Sequence, residues 1–115
     1  MKVLTACQIN LIRGAAIKMN ELYVIKTIHT LRDGKTWFPS SDGIFLQVLD
    51  AFEAVETNSC DLCEDGYNQY VVILQIPEGM YPIGEELGWF CWNKEEGCYE
   101  PCDRPHFVDG YLFSI

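Results

Sequence analysis

Residues 58 to 66, Asn-Ser-Cys-Asp-Leu-Cys-Glu-Asp-Gly, set two thiols three positions apart among three carboxylates. Thiolate pairs at that spacing ligate zinc when a second pair completes the tetrahedron. Cys98 and Cys102 form a looser second pair, so Cys60, Cys63, Cys98 and Cys102 are a candidate structural zinc site, with His106 or Cys91 as substitute ligands. A site closed by four cysteines leaves no open position for catalysis. The six cysteines, at 7, 60, 63, 91, 98 and 102, have other readings. A redox Cys-x-x-Cys belongs at a helix N-terminus, where the dipole favours thiolate. Here the pair is expected to follow a helix, and Asp61, Glu64 and Asp65 disfavour thiolate charge. A disulfide framework suits small secreted domains rather than a reducing compartment. Free thiols packed as small apolar side chains are the plainest reading.

Catalytic patterns are sparse. The two histidines, His29 and His106, are accompanied by neither G-x-S-x-G nor H-E-x-x-H. The glycines near 66 and 79–88 lack the spacing of a phosphate loop. Acid–base work needs two carboxylates at a defined separation, which spacing along the chain does not reveal. No catalytic residue is therefore expected, and a small enzyme using carboxylates or a cysteine ranks last.

Charge is the stronger signal. The chain of 115 residues carries a formal net charge of −9. Residues 1 to 41 hold six basic and two acidic residues; residues 42 to 115 hold two basic and fifteen acidic. Between Thr36 and Asn93 there is no Lys or Arg, against ten Asp and Glu. Such a chain is not expected to bind nucleic acid directly, because phosphates attract Lys and Arg. An anionic membrane surface is disfavoured for the same reason. Net charge also serves solubility, but a long stretch of one sign makes a field that attracts a basic surface.

The candidate partner-contacting residues are Asp50, Glu53, Asp61, Glu64, Asp65, Glu85 and Glu86. Aromatic anchors are sought among Trp89, Phe90, Trp92, Tyr67, Tyr70, Tyr81 and Tyr99, for which core packing is the default. The functional expectation is a small binding protein without catalytic activity. It presents an acidic face to a basic, nucleic-acid-binding site of a partner protein, the mode of action of small acidic anti-defence proteins such as anti-CRISPR proteins. A zinc-stabilised adaptor is the alternative, and a homodimer is compatible with either.

These residues need elements to hold them. With 49% hydrophobic residues, a single folded domain over 1–115 is expected. No apolar run reaches the roughly 18 residues that span a bilayer. "LTAC" at 4 to 7 resembles a lipoprotein box but stands too near the start for an apolar leader, so a cytoplasmic protein is expected. Met19 opens "MNELYVIK", which makes 1 to 18 a candidate upstream extension. Residues 2 to 12 alternate weakly as a strand, with a helix over part of 2 to 19 as alternative. "ELYVIKTIHTLRDGKTWF" reads as a hairpin about Asp33-Gly34, with both turn residues at positive φ.

Residues 42 to 56 read as a helix capped by Ser40, Ser41 or Asp42 and packed through Phe45, Val48, Leu49 and Phe52. "YVVILQI" at 70 to 76 reads as a strand covered on both faces. A second hairpin turns at Lys94 to Gly97, and residues 106 to 115 read as a last strand. The expected class is α+β: a small, mostly antiparallel sheet with one main helix packed on a face.

Overall fold

A computed structural model describes residues 21–77 and 84–108. The expected elements at 2–19 and the end of the last expected strand lie outside the described residues, as does Tyr81. Among the described residues, five strands form one sheet: β1 (Leu22–Thr30), β2 (Trp37–Phe45), β3 (Tyr70–Ile76), β4 (Glu85–Asn93) and β5 (Cys98–Cys102). Their order is β2-β1-β3-β4-β5, and every neighbouring pair is antiparallel. One α-helix, α1 (Val48–Glu56), joins β2 to β3. Since β1 lies between those strands, α1 crosses it, and Ala51 and Val55 share a buried cluster with Tyr23 and Ile25 of β1.

The central strand explains the packing. Val71 to Ile76 are all buried, and alternate side chains leave to opposite faces. Val71 and Ile73 join the cluster beneath α1; Val72, Leu74 and Ile76 join a second cluster with Val24, Ile28, Trp89 and Val108. The near-continuous apolar run therefore reports a strand covered twice, as expected.

Both expected hairpins form, with turns that differ in detail. In the first, Gly34 takes φ 69° but Asp33 is not left-handed. Its carboxylate instead accepts the N–H groups of Lys35 and Thr36, each at 2.8 Å, and the Thr36 hydroxyl at 2.6 Å. These bonds favour the ionised form and hold the Asp33 carboxyl below its ordinary range. In the second, Asn93 Oδ1 accepts from the backbone of Glu95 and Glu96, and Gly97 closes the turn at φ 68°.

The helix starts later than expected. Ser40 and Ser41 are paired with Thr27 and Lys26, so the residue types that suggest a cap serve the β2 ladder. Asp42 sits where the register shifts, and its carboxylate accepts the Thr27 hydroxyl. A Cβ at Gly43 would meet the Phe45 ring at 3.1 Å, so that ring would have to give by a few tenths of an ångström. Helix α1 begins at Val48 behind Gln47, which makes no side-chain cap bond. Phe45 packs from β2 instead of from the helix, and Phe52 is half-buried, edge-on to Phe90 at 5.9 Å. The expected strand from His106 does not begin there; His106 and Phe107 lie in a turn closed by Val108 N–H to Pro105 O at 3.1 Å.

Among the described residues, each edge strand carries a proline. The bond from Leu31 N–H to Thr36 O sets the phase of the β1–β2 ladder, which places Pro39, opposite Ile28, with its nitrogen pointing outward. Trp92 N–H donates to Gln69 O, away from β5, so Pro101, opposite Phe90, also faces its nitrogen outward.

One buried charge stands out in this frame. Lys26 is 7% exposed, between fully buried Val24 and Ile28 along the face away from α1. Its Nζ donates to Ser41 Oγ at 3.0 Å. Burial lowers its pKa from the ordinary lysine range. Lys26→Met should therefore raise stability at neutral pH, because methionine keeps the stem without the desolvated ammonium. The unfolded chain holds the proton more tightly than the folded one, so the wild type regains stability as pH rises through the lowered pKa toward about 10.4. The gap between the two proteins in urea unfolding should narrow over that interval.

Candidate acidic binding face

Beyond α1 the chain enters the acidic loop, whose backbone is unusual. Asn58, Cys60, Asp61, Glu64 and Asp65 all have positive φ, between 47° and 58°, and Gly66 follows at 86°. Side chains other than glycine adopt this region at a cost, so surrounding bonds must impose it. Asn58 Oδ1 accepts Cys63 N–H at 2.8 Å. Asn68, itself buried, donates from Nδ2 to Leu62 O at 2.8 Å and from its backbone to Cys63 O at 3.0 Å. Tyr99 on β5 donates its hydroxyl to Asn68 O at 2.6 Å. Leu62 and Cys63 are buried in the cluster beneath α1. Two apolar residues thus nail the loop down while its carboxylates turn outward.

Asp61, Glu64 and Asp65 are exposed there, and Asp50 and Glu53 are exposed on α1. Two of them act on the core: the Tyr99 phenol is pushed far above its usual range, first by burial, then by Cys63, Asp42, Asp61 and Glu64. Asn68→Ala should cost about 1–3 kcal/mol, since it leaves the Leu62 carbonyl unpaired in the interior. Faster amide hydrogen exchange confined to 58–67 would report the loosened loop.

The remaining candidates fall elsewhere. Glu85 is exposed at the start of β4, beside the Gln75 register position. Glu86 is occupied: it accepts Trp89 Nε1 at 2.7 Å and pairs with Arg104 Nε at 3.1 Å on the face away from α1. Its carboxylate is therefore committed within the fold and does not belong to the acidic face. Among the aromatic candidates, Trp89, Phe90 and Tyr99 are buried, Trp92 packs beneath α1, and Tyr70 packs against Phe107. Tyr67 alone of the described candidates is exposed, at 54%. It stacks on His29, with centroids 3.6 Å apart, and His29 Nδ1 lies 2.8 Å from Tyr67 O. Phe38, opposite His29 and 54% exposed, adds a ring that sequence reasoning did not single out.

The four candidate zinc ligands are not brought together. Cys63 is buried beneath α1, with its Sγ 3.4 Å from Asn58 Nδ2 and from Asp61 Oδ1, and Cys60 is exposed beside it. Cys102 packs in the cluster on the other face, and Cys98, four residues earlier in β5, points to that same side. The sheet stands between the two pairs. Among the described residues no group of three or more His, Cys, Asp or Glu is placed to hold a metal ion. Also among these residues, no helix is long and apolar enough to cross a membrane.

No protein family, curated protein or solved structure matches the chain.

Proposed function

We infer that this chain is a small acidic binding protein of the cytoplasm, without catalytic activity of its own, that occupies a basic, nucleic-acid-binding site on a partner protein. The observation that carries the reading is the run from Thr36 to Asn93 without a single Lys or Arg, together with the exposure of Asp50, Glu53, Asp61, Glu64 and Asp65 on α1 and the loop after it. Fixed carboxylates on a braced loop imitate a row of phosphates better than carboxylates on a mobile tail, because less ordering is required on binding. Tyr67, in the same loop, offers a ring face to an arginine guanidinium through cation–π attraction.

The test is affinity capture of partners from a host lysate at increasing salt. The inference requires a captured protein whose nucleic-acid-binding activity is blocked by the acidic chain and restored as salt rises. Capture that is insensitive to salt, or an interface mapped to the basic first third of the chain, overturns it.

A further inference from the structure

The β4–β5 hairpin settles where three of the thiols stand. Cys91 lies opposite Glu100, Cys98 opposite Asn93 and Cys102 opposite Trp89. Side chains alternate along a strand, so these six residues share one face, the one turned away from α1. Cys91 is therefore the diagonal neighbour of both Cys98 and Cys102. Of the two, it is the Cys102 thiol whose proton affinity is raised by the neighbouring Cys91. Both sulfurs are free and half-buried, which leaves them within reach of a small reagent. Neither belongs to the acidic face.

We propose that Cys91 and Cys102 are a dithiol site that exchanges reversibly with small disulfides, such as oxidised glutathione, to form a cross-strand disulfide. The chemistry balances in two steps. Cys91 loses its proton and attacks one sulfur of the small disulfide, forming a mixed disulfide and releasing one small thiolate. Cys102 then loses its proton and attacks the Cys91 sulfur, releasing the second. The protein gives up two hydrogens and gains one S–S bond; the small disulfide is reduced to two thiols.

The division of roles follows from the surroundings. Burial, then the neighbouring Cys91, pushes the Cys102 thiol up to about 12, which assigns the first attack to Cys91. Diagonal positions on antiparallel strands have Cα atoms roughly 7–8 Å apart, slightly beyond the range of relaxed disulfides. Closing the bond requires a small shift of backbone. β5 can supply it, being five residues long and, among the described residues, paired on one side only. A bond closed under strain is readily reduced, which suits exchange rather than permanent stapling. It would tie β4 to the segment that runs from Cys102 to Val108, whose Phe107 and Val108 cover the sheet on that face.

The full chain equilibrated in glutathione buffers of rising oxidised fraction, then alkylated and analysed by mass spectrometry, tests this. The expected result is loss of two hydrogens, mapped to a peptide linking Cys91 with Cys102 and reversed by dithiothreitol. Cys91→Ser should abolish the link while Cys60→Ser retains it, with circular dichroism confirming that both variants fold. Absence of an intramolecular link at every ratio overturns the proposal, as does a dominant link through Cys98 or Cys7.

Discussion

Ile73→Ala and Leu74→Ala should each destabilise the protein by about 2–5 kcal/mol, and by similar amounts. The two residues are neighbours in β3 and point to opposite faces, and both are fully buried. Ile73 lies between Ile25 and Gly88 and packs in the cluster that includes Phe52 and Val55; Leu74 packs with Val24, Ile76 and Trp89. In a sheet with one wet face, one of two adjacent residues tolerates truncation. Here each leaves a cavity among groups already held by the ladder. A domain of this size has roughly 5–15 kcal/mol of stability in total, so either variant should shift the urea midpoint by on the order of 2 M at an unchanged slope. A cost below about 1 kcal/mol at either position would mean that its face of β3 is open.

Joint reversal of Asp50, Glu53 and Glu64 to lysine should slow association with the basic partner by about 10- to 1000-fold at low salt. The three changes move the formal net charge from −9 to −3, each adding two. All three side chains are exposed, and exposed substitutions of this kind usually alter stability by less than about 0.5 kcal/mol. The loss should therefore lie in the on-rate, with folding intact. It should also fade as salt approaches 1 M, where the screening length is only about 3 Å. Reversal of Glu100 and Asp103, at and beyond β5 away from the acidic loop, should slow association far less. Equal effects from the two sets would point to bulk charge rather than to a face. Stopped-flow measurement over a salt series separates these outcomes.

What the sequence made legible was local. Val71 to Ile76 suit a doubly covered strand, and Asp33-Gly34 and Lys94–Gly97 have the chemistry of turns, so both hairpins and the central strand were readable. Helix α1 was readable over Val48–Glu56, but Ser40, Ser41 and Asp42 carry the residue types of a cap and the pairings of a strand. Local preference does not decide between those uses; the ladder with β1 does. The cysteines failed to assemble for a similar reason. Whether Cys63 and Cys102 meet depends on which face each occupies, and that parity is fixed only when β4 and β5 pair. The bracing of the acidic loop joins Tyr99 to Asn68 across 31 positions, a relation that spacing does not show. Glu86 gave no sign of its commitment to Trp89 and Arg104, since one of its partners stands 18 residues away.

The outward nitrogens of Pro39 and Pro101 bear on how the chain behaves in crowded solution. Near pH 4.5 its net charge vanishes, and with it the repulsion that keeps copies apart. Copies then collide at close range, and an uninterrupted strand edge would act as a template on which a further strand could add. Among the described residues, each edge of this sheet instead lacks a donor at one of its outward positions, so the row a newcomer must match is broken on both sides. The native fold is thereby guarded against nucleating fibres at the acidity where charge protects it least.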